Sequence, residues 1–494
     1  MKKEKINLIP NIVNPTPDYY CTWQTQLYAT SDGKPEAQRA SITEKSLFDN
    51  EKPFGWAYFY PEARCDLYFV MDDSWDVPFD DYEKFYGSMI LNGEKFPSYA
   101  DGQNPEKAYK SLSDEFKKLG WKGLGGWICA QESCVYSENI TDEEYWKKRL
   151  QWAQDGGLVY LKLDWGKKAQ NAEFRKWLTD MAHKIAPDVI IENAMTTDAI
   201  ETSDVFRSYD VPALFSVPMT MKKLEQLLKN TAKSGYGGLI NCEDELYIAA
   251  AIGCSFGAMR HPYTGALPNG REDMSFPSCH RNIKSRVTEI IRAARWHRIA
   301  PAFAVDELKT HFSSQKLIDN WQFINPEAEI ESWWPEALNI DFNKTDTASS
   351  EAISAISRNM PLPKIETGNE IPFVVCSKNP SGAISIATLG RTFKRDFYTP
   401  LCDITINGET ADAFGIFGYY KNLYINTSLN TSNLKVYAQD LAGDTAYDIT
   451  NDVKICNGII IIPGNVIEEI GCMENKQNDL SEPGLVLKLK TENI

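Results

Sequence analysis

The sequence predicts an α/β chain: a (β/α)8 (TIM) barrel followed by a C-terminal antiparallel β-sandwich. Three observations carry this. Between about residues 15 and 300, apolar strand-like runs alternate with amphipathic helical segments. Eight such runs fall within roughly 250 residues, the size of one barrel. From about residue 371, short strands recur between turns such as NPSG, INGE and LAGD, the texture of a sandwich. A doubly wound open sheet is the alternative for the first part, but no GxGxxG follows an early strand.

Taken in order, residues 1–14 read as an N-terminal tail and 15–340 as the barrel. Strands are expected at 19–28, 66–73, 122–130, 158–164, 188–194, 204–210, 237–244 and 251–259. Several are near-continuous apolar runs, as parallel strands buried on both faces require. The first long helix follows Asn104 as N-cap and Pro105, and stops at Gly120; Ala108, Leu112 and Phe116 form its apolar stripe. Thr141 and Glu144 have capping-box spacing at the head of the next. EFRKWLTDMAHKIAP, MKKLEQLLKNTAKSG and NIKSRVTEIIRAARWH complete the helical set. Residues 300–340 read as barrel-closing helix and loop, 341–370 as a polar, linker-like segment, and 371–494 as the sandwich.

Composition narrows the function. The 494 residues are 43% hydrophobic and 24% charged, a globular balance. The net charge of −16 argues against a nucleic-acid or anionic-membrane partner, because phosphate binding wants a positive surface. A neutral ligand such as a carbohydrate suits it. The 13 Trp and 23 Tyr can supply stacking platforms for sugars, although most build cores. Eleven cysteines without CxxC pairs imply neither a zinc site nor a full disulfide framework. The first residues, MKKEKINLIPNIVNPTP, lack a signal-peptide apolar region, and no apolar run approaches the ~20 residues of a membrane span. As written the chain reads as cytoplasmic; a periplasmic or extracellular protein stripped of its export signal would read the same. The oligomeric state has no signature.

In a (β/α)8 barrel the active site lies at the C-terminal ends of the strands. Polar residues gather there: Asp72, Asp73 and Trp75 in MDDSWD; Trp127 and Gln131; Lys162 and Asp164 in VYLKLDWGKK; Glu192; Arg207 and Asp210. Lys162 and Asp164 are two apart and share a face, with Leu161 and Leu163 on the other. Glu243, Asp244 and Glu245 in NCEDE read as a solvated loop or helix start, and His261 as pocket wall or satisfied structural histidine. Three chemistries could use such a rim. One is glycoside hydrolysis by two carboxyls. Another is metal-assisted chemistry on Asp72, Asp73, Glu243 and Asp244. The third is carbohydrate binding without catalysis.

DDSW, then FPS, GWKGLGGW, YLKLDWG, a strand ending in Glu192, and FRSYD resemble the ordered motifs of the melibiase-like α-galactosidase barrels, families 27 and 36 of the glycoside hydrolases. The resemblance covers roughly residues 15–300, and a C-terminal β-sandwich also fits those families. It implies a retaining exo-glycosidase for terminal α-galactose-like residues that needs no cofactor and no metal. Asp164 matches the nucleophile of the KxD motif and Asp210 the acid/base. Lys162, Asp72, Asp73, Trp75, Trp23, Trp127, Glu192 and Arg207 would bind or frame the sugar. Arg207 and Asp210 stand one residue closer than in family 27, which leaves Asp204 as the other carboxylate open to the acid/base role. NCEDE differs from the WNDPDM usual in the family.

Overall fold

The structure is a computed structural model. It describes residues 2–4, 6–30, 35–78, 88–133, 140–208, 216–234, 238–263, 265–266, 270, 273, 275–304, 309–330, 334–366, 368 and 370–491. Among these, eight parallel strands form the first sheet: β1 (Tyr19–Cys21), β2 (Tyr68–Met71), β3 (Gly123–Ile128), β4 (Leu158–Leu163), β5 (Ile190–Asn193), β6 (Val205–Arg207), β7 (Leu239–Asn241) and β8 (Gly257–Ala258). Neighbours in sequence are neighbours in the sheet from β1 to β7, and β8 pairs with β1. The seam between β7 and β8 is closed by Ser255 N donating to Ile240 O (2.9 Å), Cys242 N to Ser255 O (2.9 Å) and Asp244 N to Gly257 O (2.8 Å). The sheet is therefore a closed barrel.

Alternation along each strand sorts the side chains. Tyr20, Phe69, Met71, Leu161, Leu163 and Phe206 point outward and join the core beneath the helices, while Tyr19, Cys21, Val70, Tyr160 and Val205 fill the lumen. Outside lie α1 (Trp23–Thr30), α2 (Pro105–Lys118), α3 (Asp142–Asp155), α4 (Ala172–Ile185), α5 (Val217–Ser234), α6 (Leu246–Ile252) and α7 (Thr288–Trp296). The capping box is present: Thr141 Oγ1 accepts from Glu144 N, and the Glu144 carboxylate accepts from Thr141 N. Pro105 opens α2, and Gly120 leaves it at φ +93°.

Two expected strands are shorter than their runs. In 19–28 only Tyr19–Cys21 is extended; Thr22 O accepts from Gln26 N, and the chain turns into α1. An alternating TWQTQLY stretch is compatible with either period over so few residues. In 251–259 the first residues finish α6, and Gly253, at φ +72°, ends the helix before β8.

The C-terminal part is a sandwich. A nine-stranded and a five-stranded sheet share a core that includes Val374, Ile386, Ile416 and Val436 from one and Ile404, Leu423, Ile425 and Ile460 from the other. Most pairs are antiparallel; Ala355–Arg358 with Phe373–Lys378, Ile384–Leu389 with Ala413–Phe417, and Asp403–Glu409 with Asn422–Thr427 are parallel. The other face of the nine-stranded sheet packs on the barrel: Ile356, Val375, Phe417 and Val486 belong to the same core as Ile248, Ile290 and Trp296 of α6 and α7.

The sequence-based boundaries shift accordingly. Lys2–Glu4 in the expected tail pairs with Ala446–Asp448. Thr310–Phe312, expected to be barrel closure, edges the nine-stranded sheet. The segment expected to be linker-like contains Thr347–Ile353, paired with Lys316–Gln322, and Ala355–Arg358. Its Ser and Thr residues made it look like loop, whereas the partner strand supplies the backbone hydrogen bonds that hold it extended.

Candidate active site

The end of β4 is held from two sides. Asp164 N donates to Ile128 O on β3 (3.0 Å), and the Arg175 guanidinium of α4 donates to Leu163 O (2.6 Å) and Ala169 O (2.8 Å). Gly166, at φ +140°, lies so close to the end of β3 that a Cβ there would be 2.5 Å from Ala130 O. Ala130 N in turn donates to Trp165 O (2.9 Å). The DWG turn is thus clamped over β3, and Asp164 is carried just beyond the last strand residue.

Asp164 then meets two donors. Arg207 Nη2 donates to its Oδ1 (2.8 Å) and Trp127 Nε1 to its Oδ2 (3.2 Å). Lys162 is 3.9 Å away; its nearer partners are Asp72 (2.9 Å) and Glu243 (3.4 Å). Arg207 Nη1 faces Glu243 Oε2 at 3.3 Å, and its Nε faces Glu192 Oε1 at 3.9 Å. Glu192 also accepts from Tyr160 (2.7 Å), Asn241 (2.7 Å) and Tyr19 (3.2 Å). Strand periodicity explains the convergence: Asp72 follows inward Val70 by two residues, Lys162 follows Tyr160, and Arg207 follows Val205.

Four carboxylates therefore surround two cations. Burial works to lower the Lys162 pKa, but Asp72, Cys21 and Glu243 outweigh it and hold the ammonium well above its ordinary value. Burial raises Glu192 against the pull of Arg207 and Lys162. Burial and then Glu192 raise both Tyr160 and Tyr19, so both phenols keep their protons. Asp164 retains 9% of its surface, whereas Lys162 keeps 2%, Glu192 1%, and Arg207 and Glu243 none. Within the cluster, Asp164 is the carboxylate an incoming molecule reaches.

The remaining expected residues distribute around it. Asp72 and Asp73 diverge: Asp72 joins Lys162, while Asp73 pairs with Arg39 of the short helix Pro35–Ala40 (2.9 Å) and has its pKa raised to about 6, chiefly by burial. Arg39 also lies over the Trp165 ring, next to Trp127, so these groups form one rim of the opening. Trp23 packs partly buried against the lumen cluster. Trp75 is turned away; it is fully buried beside Tyr109 of α2 and donates to Trp127 O (2.9 Å). Asp210 lies outside the described residues. Asp204 sits at the N-terminal end of β6, where it accepts from Ile191 N (2.9 Å) and meets His183 (2.7 Å). That is the opposite end of the strand from Arg207, so Asp204 is not in this cluster.

The reading of NCEDE as solvated is corrected. Glu243, Asp244 and Glu245 are all buried, and each faces an arginine: Arg207, Arg260 and Arg281. No group of three or more potential metal ligands converges among the described residues. Of the four acids proposed as metal ligands, Asp72 and Glu243 share Lys162, whereas Asp73 faces Arg39 and Asp244 faces Arg260. His261 is buried against Tyr28 and Phe276 and shares a hydrogen bond with Ser275 (2.9 Å); burial pushes its pKa well down, so it is neutral. Tyr19, Cys21 and Tyr160 belong to the site without having been singled out for it. Their inward register was the available signal.

No protein-family model matches the chain, and no curated protein matches it. Among solved structures it is similar to a family 27 β-L-arabinopyranosidase variant from Geobacillus stearothermophilus in complex with arabinose: 10% identity, 97% of this chain and 98% of that one, TM-score 0.42. It is also similar to a candidate α-N-acetylgalactosaminidase from Bacillus halodurans C-125: 9% identity, 99% and 100% covered, TM-score 0.40. A family 36 α-galactosidase from Geobacillus stearothermophilus matches over 59% of this chain and 43% of its own, with 14% identity and TM-score 0.31. Glycoside hydrolases of families 27 and 36 are thus among the structures it is similar to. No described helix is long and apolar enough to cross a membrane.

Proposed function

We propose that the protein is a retaining exo-glycoside hydrolase that removes terminal α-galactose-like residues from oligo- or polysaccharides. The observation that carries this reading is Asp164 itself. It is a carboxylate at the C-terminal mouth of a parallel barrel, oriented through one oxygen by Arg207 and through the other by Trp127, and the most exposed carboxylate of its cluster. Arg207 and nearby Lys162 place two cations beside the carboxylate that would act as the nucleophile.

In the first step an Asp164 oxygen attacks the anomeric carbon. The bond to the leaving oxygen breaks, and that oxygen takes a proton from the acid/base, which we assign to Asp210 by its motif. Water then attacks the glycosyl ester, giving its proton to the same residue and releasing Asp164. Anomeric configuration is retained, and the two carboxyls must stand about 5–5.5 Å apart. Lys162 and Asp72, a buried donor–acceptor pair beside the nucleophile, would hold ring hydroxyls, with Trp127 and Trp165 as the apolar wall.

Asp164→Asn is expected to lower turnover of 4-nitrophenyl α-D-galactoside by roughly 10³-fold or more, with an unchanged thermal transition. Asp164→Gly with added azide is expected to regain a glycosyl azide product. Unimpaired hydrolysis by Asp164→Asn would rule the assignment out.

A further inference from the structure

Beside the Asp164 cluster lies a cavity of about 510 Å³. Arg207 and Ser208, at the end of β6, form the wall it shares with the cluster, and Met195, just after β5, continues that wall. Lys222 and Lys223 on α5, and Ser350 on the strand Thr347–Ile353, line the outer side. The cavity is one residue from the candidate nucleophile, because the same Arg207 donates to Asp164 Oδ1.

Its charge is unbalanced. Arg207 is already offset by Asp164, Glu192 and Glu243. Further along the same helix Lys229 pairs with Glu225, yet Lys222 and Lys223 have neither an ion pair nor a hydrogen bond among the described residues. Lys223 is partly buried. Burial lowers its pKa, and among the described residues no carboxylate acts to hold it up. A cation taken partly out of water without an anion costs free energy that an incoming anion returns. In a chain with net charge −16, a two-lysine wall beside the reactive carboxylate is a local exception.

We propose that this cavity is the subsite for the residue next to the scissile bond, and that Lys222 and Lys223 select a substrate carrying an anionic group there, a uronate carboxylate or a sulfate ester. The inference rests on the glycosidase reading of Asp164. It narrows the substrate class from galactosides in general to acidic glycans.

The test compares three substrates with the same reactive aryl group: 3-carboxy-4-nitrophenyl α-D-galactoside, its methyl ester, and the analogue bearing a sulfate ester at that ring position. An anionic form is expected to exceed the neutral ester by about tenfold in kcat/KM, the equivalent of ~1.4 kcal/mol. The advantage should fall at about 0.5 M salt and approach unity in the double variant Lys222→Met, Lys223→Met. Which anion gains more distinguishes uronate from sulfate. Equal rates, or a preference that survives the double substitution, overturn the proposal while leaving the glycosidase reading intact. If none of the three is hydrolysed, that reading fails instead. Calorimetric binding of the carboxylate and its ester to the Asp164→Asn protein then decides the subsite alone: a lysine-dependent preference supports it, and equal affinity overturns it.

Discussion

A buried carboxylate whose surroundings oppose its charge makes folding depend on pH. Asp76, just past the end of β2, is such a group. Its Oδ2 accepts from Met89 N (2.8 Å), while its Oδ1 has no partner among the described residues. Burial first, and then Asp73, raise its pKa to about 7, against the pull of the Met89 amide and of Lys95. The native state therefore keeps a proton that the unfolded chain has released between the ordinary carboxylate pKa near ~3.9 and about 7. Over that window stability falls as pH rises, and above it the penalty is complete. Asp76→Asn removes the titration, so the variant is expected to gain more than about 1 kcal/mol on wild type at pH 8, with the gain vanishing towards pH 4. Urea titrations across the window check this; a difference that does not change with pH would contradict it.

At the scale of elements, the turn after β4 decides where the reactive carboxylate sits. Gly166 has a backbone conformation that side chains rarely adopt, and a Cβ would press on both Ala130 O and Cys129 Sγ. Gly166→Ala is expected to destabilise the fold by roughly 1–3 kcal/mol and to move Asp164 off Trp127. Its signature is a lower thermal midpoint together with a kcat loss that exceeds any change in KM. A variant with wild-type kcat would show that the turn does not position the nucleophile. The same element shows what local pattern can and cannot specify. Inward alternation of Tyr160 and Lys162 was legible, whereas the clamp from Arg175 of α4 was not, because it joins residues on different elements.

Across the whole molecule, barrel and sandwich share one apolar core and a buried ionic tie. Arg292 of α7 donates from Nε and Nη2 to the two oxygens of Asp440 (2.9 and 2.8 Å) and from Nη1 to Glu482 O (3.0 Å). Removing one side of a buried pair leaves the other unpaired, at a cost of about 3–5 kcal/mol. Arg292→Met is therefore expected to lower stability by that order, and calorimetry of the wild type to show a single transition for both parts. Two well-separated wild-type transitions would mean that the shared face does not couple them. Arg358 strengthens the expectation, since it reaches from the nine-stranded sheet to Ile252 O (2.9 Å) and Ala304 O (2.8 Å) at the foot of the barrel.

What the sequence determined by itself is what repeats locally. Short apolar runs, several of them near-continuous, marked the strands, caps marked α2 and α3, and the residues ending those runs marked Asp72, Trp127, Lys162, Asp164, Glu192 and Arg207 as one rim. What only the tertiary structure decided is burial and pairing between distant segments. Glu243 looks like one of a row of solvated acids until Lys162 and Arg207, 81 and 36 positions away in the chain, are brought to its carboxylate. The polar Thr347–Ile353 segment looks like linker until Lys316–Gln322 pairs with it. In each case the deciding free energy is desolvation set against a partner far along the chain, a quantity that no window of neighbouring residues contains.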